Sequence, residues 1–197
     1  QWMGLSKADQ SRSDSIDIQH FSLDLDFTQM NAFQISGVCE VSFTALLEEV
    51  NHLSLDLLGM EVSEVFMDEE PLSFDYSSPL LVIQLPQTLS PGETGTLSVH
   101  YSGQAQTDAS GWGGFYFQNN QAFNLGVGFD ADPHNFGRAW YPCFDNFLER
   151  STYDVQVLSN NGNRAYCSGE LMERTLLGGD STLDRWSIST PIPSYLV

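Results

Sequence analysis

The stretch Ile16-Asp17-Ile18-Gln19-His20-Phe21-Ser22-Leu23-Asp24-Leu25-Asp26-Phe27 decides the fold class, because its apolar residues recur at every second position. A period of two puts them on one face of an extended strand and leaves Asp24 and Asp26 on the other. Ile16 and Ile18 are out of phase with Phe21, Leu23, Leu25 and Phe27, and the slip predicts a β-bulge near Gln19 and His20. Downstream, Ile35, Gly37, Cys39, Val41, Phe43 and Ala45 alternate with Glu40, Ser42 and Thr44, and Leu53, Leu55 and Leu57 alternate with Ser54 and Asp56. Residues 62–67 run into Asp68-Glu69-Glu70-Pro71 and then Leu72, Phe74 and Tyr76, which predicts a hairpin closed by an acidic turn. Leu81, Ile83 and Leu85, then Leu97, Val99 and Tyr101 around the turn Ser90-Pro91-Gly92, add two more strands. Tyr153, Val155 and Val157, and finally Leu183, Trp186 and Ile188, continue the pattern to the end of the chain. Strands that recur at this spacing, with no sustained helical period, predict an all-β fold: a twisted β-sandwich of two packed, mostly antiparallel sheets.

Composition limits the function. Twenty-six acidic residues against seven basic ones give 197 residues a formal charge of −19, which argues against phosphate-directed nucleic-acid binding and against an anionic membrane face. No apolar run approaches the ~18 residues of a membrane span. Residues 1–14, poor in apolar side chains, are expected to form a flexible lead-in, with the domain proper at 15–197. The chain starts at Gln1, so a leader removed earlier would not be visible, and the acidic, lysine-poor composition favours an exported protein, periplasmic or extracellular, over a cytoplasmic one.

No catalytic centre is legible. His20, His52, His100 and His134 are isolated, with no H-E-x-x-H, no G-x-S-x-G elbow and no phosphate loop. Cys39, Cys143 and Cys167 lie far apart, without metal or redox spacing, and read as structural thiols. Asp130-Ala131-Asp132-Pro133-His134-Asn135 is the densest donor cluster, inside a polar, glycine-bearing stretch at 124–136 that reads as a long loop. It lacks the alternation and closing glutamate of a calcium loop and reads as an Asx-type turn ended by Pro133. The aromatic residues Trp112, Phe115, Tyr116, Phe117, Trp140, Tyr141 and Phe144 are either core or a sugar-stacking platform, with core favoured by the area such rings bury.

The segment Arg138-Ala139-Trp140-Tyr141-Pro142-Cys143-Phe144-Asp145 carries more information. It resembles the R-x-x-F-P-C-F-D segment in the N-terminal domain of aminopeptidase N-type zinc metallopeptidases, the gluzincin family that includes leukotriene A hydrolase. His20-Phe21-Ser22-Leu23, Ile35-Ser36-Gly37, Leu53 to Leu58, Gly114-Phe115-Tyr116, Ser168-Gly169-Glu170-Leu171 and Pro191-Ile192-Pro193-Ser194-Tyr195-Leu196 are similar to further motifs of that domain, in the same order, from about Ile16 to Val197.

The resemblance implies a non-catalytic N-terminal domain that packs on its own catalytic domain and walls the cleft for a peptide substrate. The zinc and exopeptidase motifs would then lie in that further domain, with no cofactor in this chain, which alone would be inactive. The family's N-terminal domain also supplies a Gln or Glu for the substrate's free amine, about five residues before the arginine matching Arg138. That count lands on Pro133, which leaves Asp132 and Asp130 as the candidate anchors. Arg138, Pro142, Cys143 and Asp145 are then structural, with an arginine–carboxylate fork between Arg138 and Asp145 pinning the loop. The alternative reading is an independent secreted carbohydrate-binding module that uses residues 112–117.

Overall fold

Gln19 is where the first strand changes phase. The structure is a computed structural model describing residues 12–197. In it β1 (Ile16–Asp26) pairs Ile18 with Phe43 and His20 with Ser42 of β2 (Ile35–Ala45), so Gln19 is left over as a bulge. The extra residue keeps Ile16, Ile18, Phe21, Leu23 and Leu25 all on the buried face, none more than 3% exposed.

Residues 1–11, most of the proposed lead-in, lie outside the described residues. Residues 12–15 form a helical turn, and Arg12 is bonded through its guanidinium to Asp56.

The remaining strands are β3 (Val50–Asp56), β4 (Glu61–Met67), β5 (Glu70–Pro71), β6 (Phe74–Ser77), β7 (Leu80–Leu89), β8 (Thr94–Gly103), β9 (Gly113–Gln118), β10 (Gln121–Gly128), β11 (Ser151–Ser159), β12 (Glu170–Leu176) and β13 (Thr182–Ile192). An eight-stranded sheet runs β12-β13-β11-β1-β2-β8-β4-β5, and a three-stranded sheet β3-β7-β6 forms the second layer. Among these strands the β1–β11 pairing is parallel and the others are antiparallel. Leu53, Leu55, Leu81 and Ile83 of the second layer are fully buried in the same apolar cluster as Phe21, Leu23, Val41 and Phe43 of the large sheet. Two packed sheets around one core are what the alternation predicts.

Two elements differ from the sequence reading. The acidic hairpin is short: Phe66 pairs with Pro71, Met67 with Glu70, and the Leu72 amide donates to the Val65 carbonyl at 2.8 Å, after which the chain crosses to the other layer and Phe74 pairs with Ile83. The stretch 124–136 is not all loop: β10 continues to Gly128 and pairs with β9 as a separate two-stranded ribbon. Gly126 permits this, because its φ of +72° lies in the left-handed region and a Cβ there would run into the carbonyl of Tyr195.

Candidate functional site

Residues 129–146 leave β10, turn through a 3-10 segment at Gly137–Ala139 and enter the space between the two sheets. Tyr141 packs edge-on against Phe21 of β1, with centroids 6.0 Å apart, and Cys39 of β2 donates its thiol to the Pro142 carbonyl at 3.4 Å. From the other layer, Asp56 of β3 exchanges backbone hydrogen bonds with Cys143, at 2.7 and 3.0 Å. The Tyr-Pro-Cys-Phe run is therefore held by both layers and almost wholly buried.

Asp145 organises this segment. Its side chain is fully buried and accepts hydrogen bonds from the Arg138 guanidinium (2.8 Å), the Arg138 and Gly137 amides (both 3.2 Å), the Asn135 side-chain amide (3.0 Å) and the Ser194 hydroxyl (2.6 Å). Five donors on one carboxylate satisfy a charge that would otherwise be prohibitive to bury. The expected fork is not two-pronged: one guanidinium nitrogen binds Asp145 and also the Asn135 carbonyl at 2.9 Å, while the other reaches the Pro133 carbonyl at 3.3 Å. The second prong is spent on the loop itself, so Arg138 ties 133–135 to Asp145. The two-pronged pair in this region is instead Arg12 with Asp56, both contacts at 3.0 Å, and Asp56 also accepts from the Asp145 amide at 3.1 Å. Burial pushes the Asp56 carboxyl above its ordinary value, opposed by the hydrogen bonds and charge of Arg12. The Cys39 and Cys143 thiols are likewise raised, chiefly by burial, and that of Cys167 to about 11, which fits three free, unreactive cysteines.

The loop at 129–135 is braced from beneath. Asp108, 5% exposed, accepts from the Asp130 amide at 3.1 Å and from the Ser110 amide and hydroxyl. Across the base, the Gly128 amide donates to the His134 carbonyl at 2.9 Å, and His134 Nδ1 reaches back to the Gly128 carbonyl at 3.1 Å. Asp130 and Asp132 are both exposed, and neither side chain has a hydrogen-bond or ion-pair partner among the described residues. Sequence reasoning missed Asp108 and Ser194. Asp108-Ala109-Ser110-Gly111 carries an Asx-turn signature, but nothing local announces that the same carboxylate also holds Asp130.

The hydrogen bond from Ser110 leads the causes that hold the Asp108 carboxyl below its ordinary value. A depressed carboxyl stabilises the fold above its unfolded-state pKa and loses that contribution as pH falls through its folded value. The Asp130 amide is therefore expected to stay protected from hydrogen exchange at pH 5 and to lose protection, after correction for intrinsic rates, below about pH 4. Asp108→Asn should show the weakened protection at both pH values, and unchanged protection of the Asp130 amide in that variant would remove Asp108 from this role.

The aromatic group divides. Phe115, Trp140, Tyr141 and Phe144 are buried core, while Trp112 is 46% exposed and stacks on the exposed Phe129. Among the described residues there is no group of three or more His, Cys, Asp or Glu side chains placed to hold a metal ion.

The profile of the peptidase M1 N-terminal domain matches residues 17–196. Aminopeptidase Q of Mus musculus is 28% identical over 138 residues, 65% of this chain and 24% of its own length. Leucine aminopeptidase 2 of Candida glabrata is 26% identical over 187 residues, 93% of this chain and 28% of its own. The chain thus spans about a quarter of these curated relatives. Among solved structures, a mutant M1 zinc metallopeptidase from Deinococcus radiodurans bound to a Tyr-Ser-Ala substrate superposes with a TM-score of 0.81 at 25% identity, over 92% of this chain and 41% of that one. Native yeast LTA4 hydrolase, at 20% identity and a TM-score of 0.67, shares the fold. None of these matches supports the carbohydrate-binding alternative. A buried Arg138–Asp145 pair between two packed sheets, together with a profile match over nearly the whole length, shows that the chain belongs to the family of peptidase M1 N-terminal domains.

Proposed function

We propose that this chain is the N-terminal domain of a zinc aminopeptidase, that it packs on a catalytic domain of the same protein, and that residues 129–135 wall the cleft in which the substrate's N-terminus is held. The observation that carries the reading is the pair of unpartnered carboxylates, Asp130 and Asp132, on a loop braced by Asp108, His134 and Arg138. A carboxylate on a rigid support, left unneutralised by the protein, is suited to a substrate ammonium. Asp130 is the better supported of the two, since its own amide is fixed by Asp108. Hydrolysis and zinc are assigned to the further domain, and no step of the reaction is placed on this chain.

Exposed apolar side chains support the packing. Leu125, Phe147, Leu148 and Leu196 are each at least 39% exposed, and all lie within two residues of Gly126, Tyr195 or Phe147, which meet one another where Gly126 abuts Tyr195 and Phe147 packs on its ring. Apolar residues gathered in this way suit a surface that another domain covers. The acidic, lysine-poor composition supports work outside the cytoplasm.

The full-length protein is expected to carry one zinc per chain and to release N-terminal residues from free peptides, with N-acetylation of the peptide abolishing turnover. The 197-residue chain alone should do neither. Equal hydrolysis of free and acetylated peptides by the full-length protein would overturn the amine-anchor reading. Absence of both zinc and peptidase activity would overturn the enzyme reading.

A further inference from the structure

A cleft of about 650 Å³ opens between the β9–β10 ribbon and the strands β1 and β11, away from the Asp130 loop. Its volume is that of a small-molecule site. Phe27, Phe115, Phe123, Trp140 and Val157 make its walls apolar. Arg164, exposed on the lining, has no carboxylate partner among the described residues.

The unpaired Arg164 weighs more in this chain than it would in most. Acidic residues outnumber basic ones by 26 to 7, and of the six arginines Arg12, Arg138, Arg174 and Arg185 are paired with carboxylates, whereas among the described residues Arg150 and Arg164 are not, and only Arg164 of these two lines the cleft. A guanidinium that stays unpaired beside an apolar cleft, with so many carboxylates in the chain, is available for an anion from outside. We propose that this cleft binds a small apolar molecule with one anionic head, its body against the aromatic wall and its head on Arg164. Apolar walls supply most of the attraction, and Arg164 selects a carboxylate or sulfonate over a neutral molecule of the same shape.

The test uses two fluorescent probes with the same aromatic body, anilinonaphthalene sulfonate and the uncharged phenylnaphthylamine, titrated into the full-length protein. The sulfonate is expected to bind saturably with one site per chain, at least about tenfold more tightly than the neutral probe. Arg164→Ala, at an exposed position that leaves the core intact, should weaken the sulfonate about tenfold and the neutral probe by less than about twofold. Ala122→Trp, which fills the cleft from β10, should abolish both, with a thermal melt confirming the fold. Unchanged sulfonate affinity in Arg164→Ala would overturn the proposal. So would binding that survives Ala122→Trp in a folded protein, or no sulfonate binding that either variant affects, which would mean that the rest of the protein fills the cleft.

Discussion

Asp145→Ala is expected to lower the free energy of unfolding by about 3–5 kcal/mol, because it leaves the Arg138 guanidinium buried without its counter-charge. The side chain of Asp145 is fully buried and that of Arg138 is 10% exposed, so water cannot replace the lost carboxylate without opening the segment. The same substitution strips acceptors from the Gly137 and Arg138 amides, the Asn135 side chain and the Ser194 hydroxyl at once. For a domain of this size the loss corresponds to a fall in Tm of roughly 6 to 20 °C. Ser194→Ala removes a single donor and should cost only about 1 kcal/mol. Chemical denaturation of the two variants measures the contrast. A cost below about 1 kcal/mol for Asp145→Ala would mean that the carbonyls of Asn135 and Pro133 are enough to hold Arg138, and that Asp145 is not the centre of the segment.

Much of this centre could be read from the sequence, and what escaped has a common cause. Alternation works wherever a strand has one dry face, so β1, its bulge at Gln19, and β2, β3, β7, β8 and β11 followed from residue type alone. It fails for β10, where Asn124, Gly126 and Gly128 break the pattern and leave only a polar stretch to read. The pairing of Arg138 with Asp145 was suggested by their spacing within one motif, but its geometry was set by carbonyls at Pro133 and Asn135 that no side-chain pattern displays. Asp56 is the sharpest case. In Leu53-Ser54-Leu55-Asp56-Leu57 it sits on the polar phase and reads as a solvent-facing strand residue, yet it is only 9% exposed. Its partners, Arg12 and the Asp145 amide, are 44 and 89 residues away, too far for any local pattern to announce. Polar residues buried by long-range contacts are where alternation is least informative, and here they are also the residues that hold the loop.

That support leads to the second large effect, expected at the loop tip in the full-length protein on the aminopeptidase reading proposed above. Asp130→Ala should lower kcat/KM for peptides with a free N-terminus by roughly ten- to a hundredfold, since a charged hydrogen bond to the substrate ammonium contributes about 1.5–3 kcal/mol. Asp132→Ala should have the smaller effect of the two, because the Asp130 amide is held by Asp108 while the Asp132 amide has no hydrogen-bond partner among the described residues. Both side chains are exposed and without partners among the described residues, so neither substitution should move the melting temperature by more than about 2 °C. Asp108→Asn provides the control that separates positioning from contact: it leaves the Asp130 carboxylate in place but loosens its support, and should raise KM more than it lowers kcat. If Asp130→Ala and Asp132→Ala both retain full activity while Asp108→Asn does not, the loop acts through its shape and the ammonium is held elsewhere. If all three are fully active, residues 129–135 have no part in the cleft, and the braced tip serves another contact of the domain.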